Sequence, residues 1–184
     1  MSDIIRSMTE TECVDFLNEW RNKSMNDTPR SNLEESDRKW EYIYDTFPNL
    51  RLPQGKTIFR VHHGGCDEPE FSDYEGCGDN QQELFESAHD RWKREQDPFS
   101  IRFDRHWVSF TKDPQVILSP YFQSKGMGGF VIVASANKAV DISGIKGWGF
   151  IEIEQEIVAP LDKSSRIEVL PLNDFERKYC KTYV

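Results

Sequence analysis

The spacing of apolar residues changes period near Thr57, and this change limits the folds open to the chain. Before it, the spacing is helical. Cys13, Phe16, Leu17 and Trp20 fall on one stripe behind two capping-box candidates, Ser7-x-x-Glu10 and Thr9-x-x-Glu12. A polar run from Asn22 to Pro29 interrupts this pattern. Ser31-x-x-Glu34 then opens a second stripe of Trp40, Ile43, Tyr44 and Phe47, stopped by Pro48 and Asn49. After Thr57 the apolar residues come in short continuous or alternating runs: 57–62, 107–111, 130–134, 139–142, 151–158 and 166–170. A helix with the stripe Leu84, Phe85, Ala88 and Trp92 is expected at about 82–94. Another should start at Asp113-Pro114 and run to about Phe122. Helices in front and short strands behind predict an α+β fold. Residues 1–50 read as a helical cap on a larger core spanning 51–184, with an acidic insertion at 67–97.

At 184 residues, 37% of them hydrophobic and 12% aromatic, the chain can bury roughly 70% of the surface its unfolded form exposes. It therefore needs no disulfide framework. Its four cysteines (Cys13, Cys66, Cys77, Cys180) form no C-x-x-C pair. The cluster His62, His63, Cys66 and Cys77 matches no usual zinc spacing, so no metal is expected. No apolar run approaches the ~18 residues of a membrane span. The N-terminal residues lack the basic start and apolar stretch of a secretory signal, so a cytoplasmic protein is expected.

The net charge of −9 is concentrated. Residues 67–97 hold eleven acids against three bases, a local charge of −8. Binding driven by phosphate neutralisation would want the opposite sign, so nucleic acid is disfavoured as the main partner. The acidic stretch reads either as a solvated surface insertion or as an electrostatic lure for a basic protein.

Several familiar motifs fail on inspection. Gly55-Lys56-Thr57 resembles the tail of a phosphate-binding loop, but Leu50 stands where that loop needs glycine, and a strand follows where it needs a helix. No nucleophile elbow, H-E-x-x-H pair or dinucleotide glycine motif is present. The run Ile151–Val158 is more informative. Strict alternation would place Glu152, Glu154 and Glu156 on one face. That pattern describes either a half-exposed strand with an acidic solvent side, or carboxylates held on a rigid element for chemistry in which a sugar ring becomes cationic.

Three segments, in order, resemble the motifs of the Arg–Ser–Glu class of NAD-dependent mono-ADP-ribosyltransferases. Ile58-Phe59-Arg60 is similar to the aromatic-Arg motif of the first strand, although Val61 and His62 follow where the family commonly has glycine. Trp107-Val108-Ser109-Phe110-Thr111, leading into Asp113-Pro114, resembles the Ser-x-Ser/Thr strand and its helix. Glu154-Gln155-Glu156-Ile157-Val158-Ala159-Pro160 resembles the Glu-x-Glu motif. The loop Gly144–Gly149 falls where the family has its substrate-recognition loop. The resemblance covers roughly Thr57 to Leu172 and leaves residues 1–50 without a counterpart.

The resemblance implies a core of two packed, mostly antiparallel β-sheets, with NAD as the cosubstrate. It implies Glu156 as the carboxylate that stabilises the oxocarbenium-like ribose through a ribose hydroxyl. Ser109 would orient that carboxylate, with Thr111 in support, and Arg60 would anchor the dinucleotide. Glu154 would act on the acceptor, because glutamate at this position accompanies modification of arginine in the family. Trp148 or Phe150 would offer an aromatic surface to the target protein, and Phe122 or Tyr121 would stack on nicotinamide. The implied activity is transfer of ADP-ribose to a protein arginine with release of nicotinamide, as in a small toxin or effector. Two alternatives stay open: an NAD glycohydrolase using the same site, and a non-catalytic inhibitor that binds a basic protein through its acidic segment.

Overall fold

The computed structural model describes residues 8–22, 30–62, 71–95, 101–120, 130–145 and 153–180. Among the described residues, five α-helices and six strands are arranged around one sheet. In chain order they are α1 (Glu10–Asn22), α2 (Arg30–Thr46), β1 (Thr57–His62), α3 (Gln81–Glu95), β2 (Trp107–Thr111), α4 (Pro114–Ile117), β3 (Phe130–Ser135), β4 (Val140–Asp141), β5 (Glu156–Pro160), β6 (Arg166–Pro171) and α5 (Leu172–Tyr179). The expected α+β class is therefore present.

The start of α1 is set by the second of the two capping boxes. The Glu12 amide donates to Thr9 Oγ1 at 3.2 Å, and the Thr9 amide donates to Glu12 Oε2 at 2.8 Å, which satisfies two amides that the first turn leaves open. Ser7 lies outside the described residues. Helix α2 begins at Arg30, which places Ser31 inside the helix instead of at its cap. The Gly-Lys-Thr fragment is a turn into β1. Gly55 has φ +80°, a left-handed conformation that favours glycine, and its amide donates to the Ala136 carbonyl at 2.9 Å.

The strands form one six-stranded sheet in the order β4-β5-β2-β1-β3-β6, antiparallel at every junction. The expectation of two packed sheets is thus corrected to a single sheet, because β1 and β2 remain joined. That joint is thin. It has one register pair, Phe59↔Thr111, whereas β1 and β3 align from Thr57↔Ser135 through His62↔Phe130. Strand lengths and periodicity do not encode how strands distribute between sheets, which long-range pairing decides.

Each half of the sheet has its own cover. On one face, α1 and α2 pack Phe16, Leu17, Trp40 and Ile43 onto Trp107, Val140 and Val158 of the β4-β5-β2 half. The β1-β3-β6 half packs Phe59, Val131 and Val133 against Ile117, Phe175 and Cys180. Directly opposed residues of an antiparallel pair share a face. The pairings Phe59↔Val133, Phe59↔Thr111, Thr111↔Glu156 and Ser109↔Val158 therefore put both clusters on the same side of the sheet. The polar residues Ser109, Thr111 and Glu156 lie on that side too. The other side carries a third cluster that crosses the seam, with Ile58, Val108, Phe110, Ala134 and Ile157.

The N-terminal helices are fastened to the sheet by polar contacts as well as by the core. Asp37 of α2 accepts from the Trp107 amide at 2.8 Å and lies 2.6 Å from His106 Nδ1, and Glu41 accepts from the Trp107 indole at 3.2 Å. The acidic segment packs on itself: Phe71 and Tyr74 meet Phe85 edge-on at 5.5 and 6.3 Å, and Leu84 stays exposed. The side chain of Trp92, the last residue of its expected stripe, lies outside the described residues. Two helix boundaries depart from the sequence expectation. Helix α4 is a single turn ending at Ile117; Pro120 is helical again, and residues 121–122 of the expected helix lie outside the described residues. Helix α5, unforeseen, follows Pro171 and buries Phe175 at its centre.

Phe175 is fully buried, edge-on to Phe59 at 5.5 Å and stacked on Tyr179 at 5.6 Å. Phe175→Ala should cost about 3–5 kcal/mol in urea unfolding. A loss under ~1 kcal/mol would show that α5 lies outside the cooperative core.

Candidate active site

Ser109 and Glu156 meet because their strands are neighbours and their side chains leave the same face. Ser109 Oγ donates to Glu156 Oε1 at 2.5 Å. A second donor reaches the same oxygen from outside the sheet: Trp20 Nε1, on α1, at 3.0 Å. The Glu156 side chain is 5% exposed. Burial pushes its carboxyl above the usual range, and the nearby charge of Glu154 adds to the rise. The Ser109 and Trp20 hydrogen bonds and the charge of Arg60 act in the opposite direction.

Arg60 arrives differently. Its pairing with Ile132 sends it from the face opposite Phe59, and its Nη1 donates to the main-chain carbonyl of Ser109 at 2.7 Å. The guanidinium thus sits at the seam where β1 and β2 barely pair. Desolvation lowers it to about 10, partly offset by attraction to Glu156, so it stays cationic at neutral pH. Arg60, Ser109 and Glu156, which are 49 and 47 residues apart in sequence, are therefore linked by two hydrogen bonds. Each of the three residues belongs to a strand of the same sheet.

The Glu-x-Glu segment corrects the sequence reading. Strand β5 begins only at Glu156, Ile153 and Glu154 are helical, and Gln155 takes φ +50°. That left-handed residue is uncommon outside glycine and breaks the alternation assumed for residues 151–158. Glu154 is consequently not a strand residue sharing a face with Glu156. It sits half-buried beside the buried carboxylate, close enough to raise its pKa. The register here is held by main-chain bonds, from the Lys112 amide to the Gln155 carbonyl and from the Ile142 amide to the Glu156 carbonyl, both 3.2 Å. A side-chain brace lies close by. Lys112 Nζ donates to Asp141 Oδ2 at 2.8 Å and to Ser143 Oγ at 2.6 Å.

Thr111 opposes Glu156 across the β2–β5 ladder, but its hydroxyl is committed to a turn. It accepts from the Asp113 amide at 3.1 Å and donates to the Asp113 carbonyl at 3.2 Å. Its contribution is to start α4, where Asp113 caps the Gln115 amide at 2.9 Å. Phe122, Tyr121, Trp148 and Phe150 lie outside the described residues. So do His63 and Cys66 of the candidate zinc cluster, and among the described residues no group of three or more His, Cys, Asp or Glu is placed to hold a metal ion. Trp20 was legible only as the last member of an apolar stripe, since nothing in a 3.6-residue period reports where an indole N–H will point.

A cavity of about 240 Å³ opens elsewhere, between Glu41, Lys138, Arg105 and Asp162. Its cations are already matched, Lys138 by Glu41 and Arg105 by Asp162, and none of the linked trio lines it. Among the described residues no helix is long and apolar enough to cross a membrane. The chain matches no family model, no curated protein and no solved structure.

A carboxyl whose folded pKa exceeds its unfolded one favours the fold in its protonated form, and that contribution is lost as pH rises through the folded pKa. Glu156→Gln should therefore raise the melting temperature at pH 7, by roughly 2–4 °C. The gain should shrink as pH falls through the Glu156 titration. Melting curves from pH 4 to 8 check this, and a destabilised variant at pH 7 would show that the ionised carboxylate is a net stabiliser.

Proposed function

We propose that the chain is an NAD-dependent mono-ADP-ribosyltransferase that modifies a protein arginine. The observation that carries this reading is the short Ser109–Glu156 hydrogen bond beside the Arg60 guanidinium, on adjacent strands. In this reaction the bond between nicotinamide and the ribose anomeric carbon breaks. The electron pair leaves with nicotinamide, and the sugar becomes oxocarbenium-like.

The main demand is electrostatic, a fixed negative group that stabilises the developing cation more than the ground state. Glu156 suits that demand because its carboxylate is desolvated, and charges interact more strongly where water is excluded. Its donors fix its direction in advance, so little reorganisation accompanies the chemistry. Arg60 supplies a cation at the seam, where it donates to the Ser109 carbonyl, and from there it would anchor the dinucleotide phosphates. Glu154 lies beside Glu156 and less buried, where a carboxylate can orient an incoming guanidinium and accept its proton as nitrogen bonds to the anomeric carbon.

Incubation with labelled NAD and arginine-containing protein tests the reading. Label should appear on protein, and Glu156→Ala should reduce nicotinamide release about 10²–10³-fold. Free ADP-ribose without labelled protein would identify a glycohydrolase using the same carboxylate. Absence of NAD consumption would reject both.

Glu154→Gln separates the two carboxylates. It should abolish arginine labelling while retaining most hydrolysis of NAD, and an unchanged transfer rate would remove Glu154 from the acceptor step.

A further inference from the structure

We infer that Trp20 is a positioning residue for Glu156, which makes the N-terminal helix pair part of the working site. The inference deepens the transferase reading and rests on it for its kinetic consequences, while its structural content stands on the contact between Trp20 and Glu156.

Trp20 Nε1 lies 3.0 Å from Glu156 Oε1, the same oxygen that accepts from Ser109. The two donors come from different elements, one from strand β2 and one from helix α1. The indole itself is well fixed. Trp20 stands edge-on against Trp40 at 5.0 Å and 81°, and Trp40 stacks on Trp107 at 6.1 Å and 18°. Trp107 is on β2, two residues before Ser109 and on the same face. An aromatic strut therefore runs from β2 through α2 to α1 and returns to the carboxylate held by β2.

The packing of the ring on Phe16 and Trp40 needs no N–H donor, so the contact of the indole N–H with a buried carboxylate is a separate contribution. A hydrogen bond to an ionised acceptor favours the charged form and fixes its direction. Trp20 thus works with Ser109 to keep Oε1 occupied, leaving Oε2 to face a ribose hydroxyl. Phenylalanine would keep most of the ring and lose only the donor.

The test uses the full chain with ¹³C-labelled glutamate, following the Glu156 carboxyl resonance with pH. That resonance is assigned by its loss in Glu156→Gln. In Trp20→Phe the titration should move to higher pH. For NAD cleavage, kcat should fall about tenfold, the worth of one hydrogen bond to a charged group, with little change in KM. In the Trp20→Phe/Ser109→Ala double variant the loss should differ from the product of the single losses, since both donors share one oxygen.

A folded Trp20→Phe protein with an unmoved Glu156 titration overturns the inference, whatever its activity. A wild type that cleaves no NAD removes the transferase reading and leaves the titration to decide the role of Trp20. Should Trp20→Phe fail to fold, the wild-type indole N–H resonance of Trp20 serves instead. It must shift with the Glu156 titration and lose that shift in Glu156→Gln, and a resonance indifferent to pH overturns the inference.

Discussion

The candidate site is organised around one carboxylate kept out of water. Burying an ion costs several kcal/mol unless donors and opposite charge replace its hydration. Glu156 receives both, through Ser109, Trp20 and the nearby guanidinium of Arg60, and burial still prevails in lifting its pKa. A chain selected for stability alone could place an apolar residue here, as it does at the adjoining Val158 and Val140. Here the sheet instead carries a buried carboxyl whose lost hydration is replaced by the Ser109 and Trp20 donors.

The location follows from how the sheet is assembled. Two three-stranded halves, each with its own helical cover, meet along a seam with a single register pair. Main-chain groups at such a seam need other partners, and Arg60 supplies one by donating to the Ser109 carbonyl. Between the α1–α2 cover and the α5 side lies the polar strip of Ser109, Thr111 and Glu156. The third hydrophobic cluster continues beneath it on the opposite face, so the strip rests on a rigid floor.

Much of this was legible in sequence because it depends on local period. The runs at 57–62 and 107–111 become β1 and β2 with the expected limits, and the α1 stripe buries Cys13, Phe16 and Leu17. Arg60, Ser109 and Glu156 stood out on three separate segments, and the structure links them through hydrogen bonds. What failed was set by tertiary context. The alternation over 151–158 satisfied a strand template, yet the positive φ of Gln155 starts β5 five residues later than the template does. Helix α5 carried a signal that was passed over, since Leu172, Phe175 and Tyr179 follow Pro171 at helical spacing. The division of strands into one sheet or two depends on pairings between strands distant in sequence, such as Phe59↔Thr111, and the direction of the Trp20 indole on a contact 136 residues away. No local pattern specifies them.

The most direct measurement is a crystal structure of the Glu156→Gln protein grown with NAD, a variant chosen to slow turnover while keeping the shape of the site. The account predicts the nicotinamide ribose in the polar strip, with a hydroxyl about 3 Å from the side chain at position 156 and the dinucleotide running past Arg60. NAD bound on another surface, or a strip left empty at saturating NAD, would contradict it.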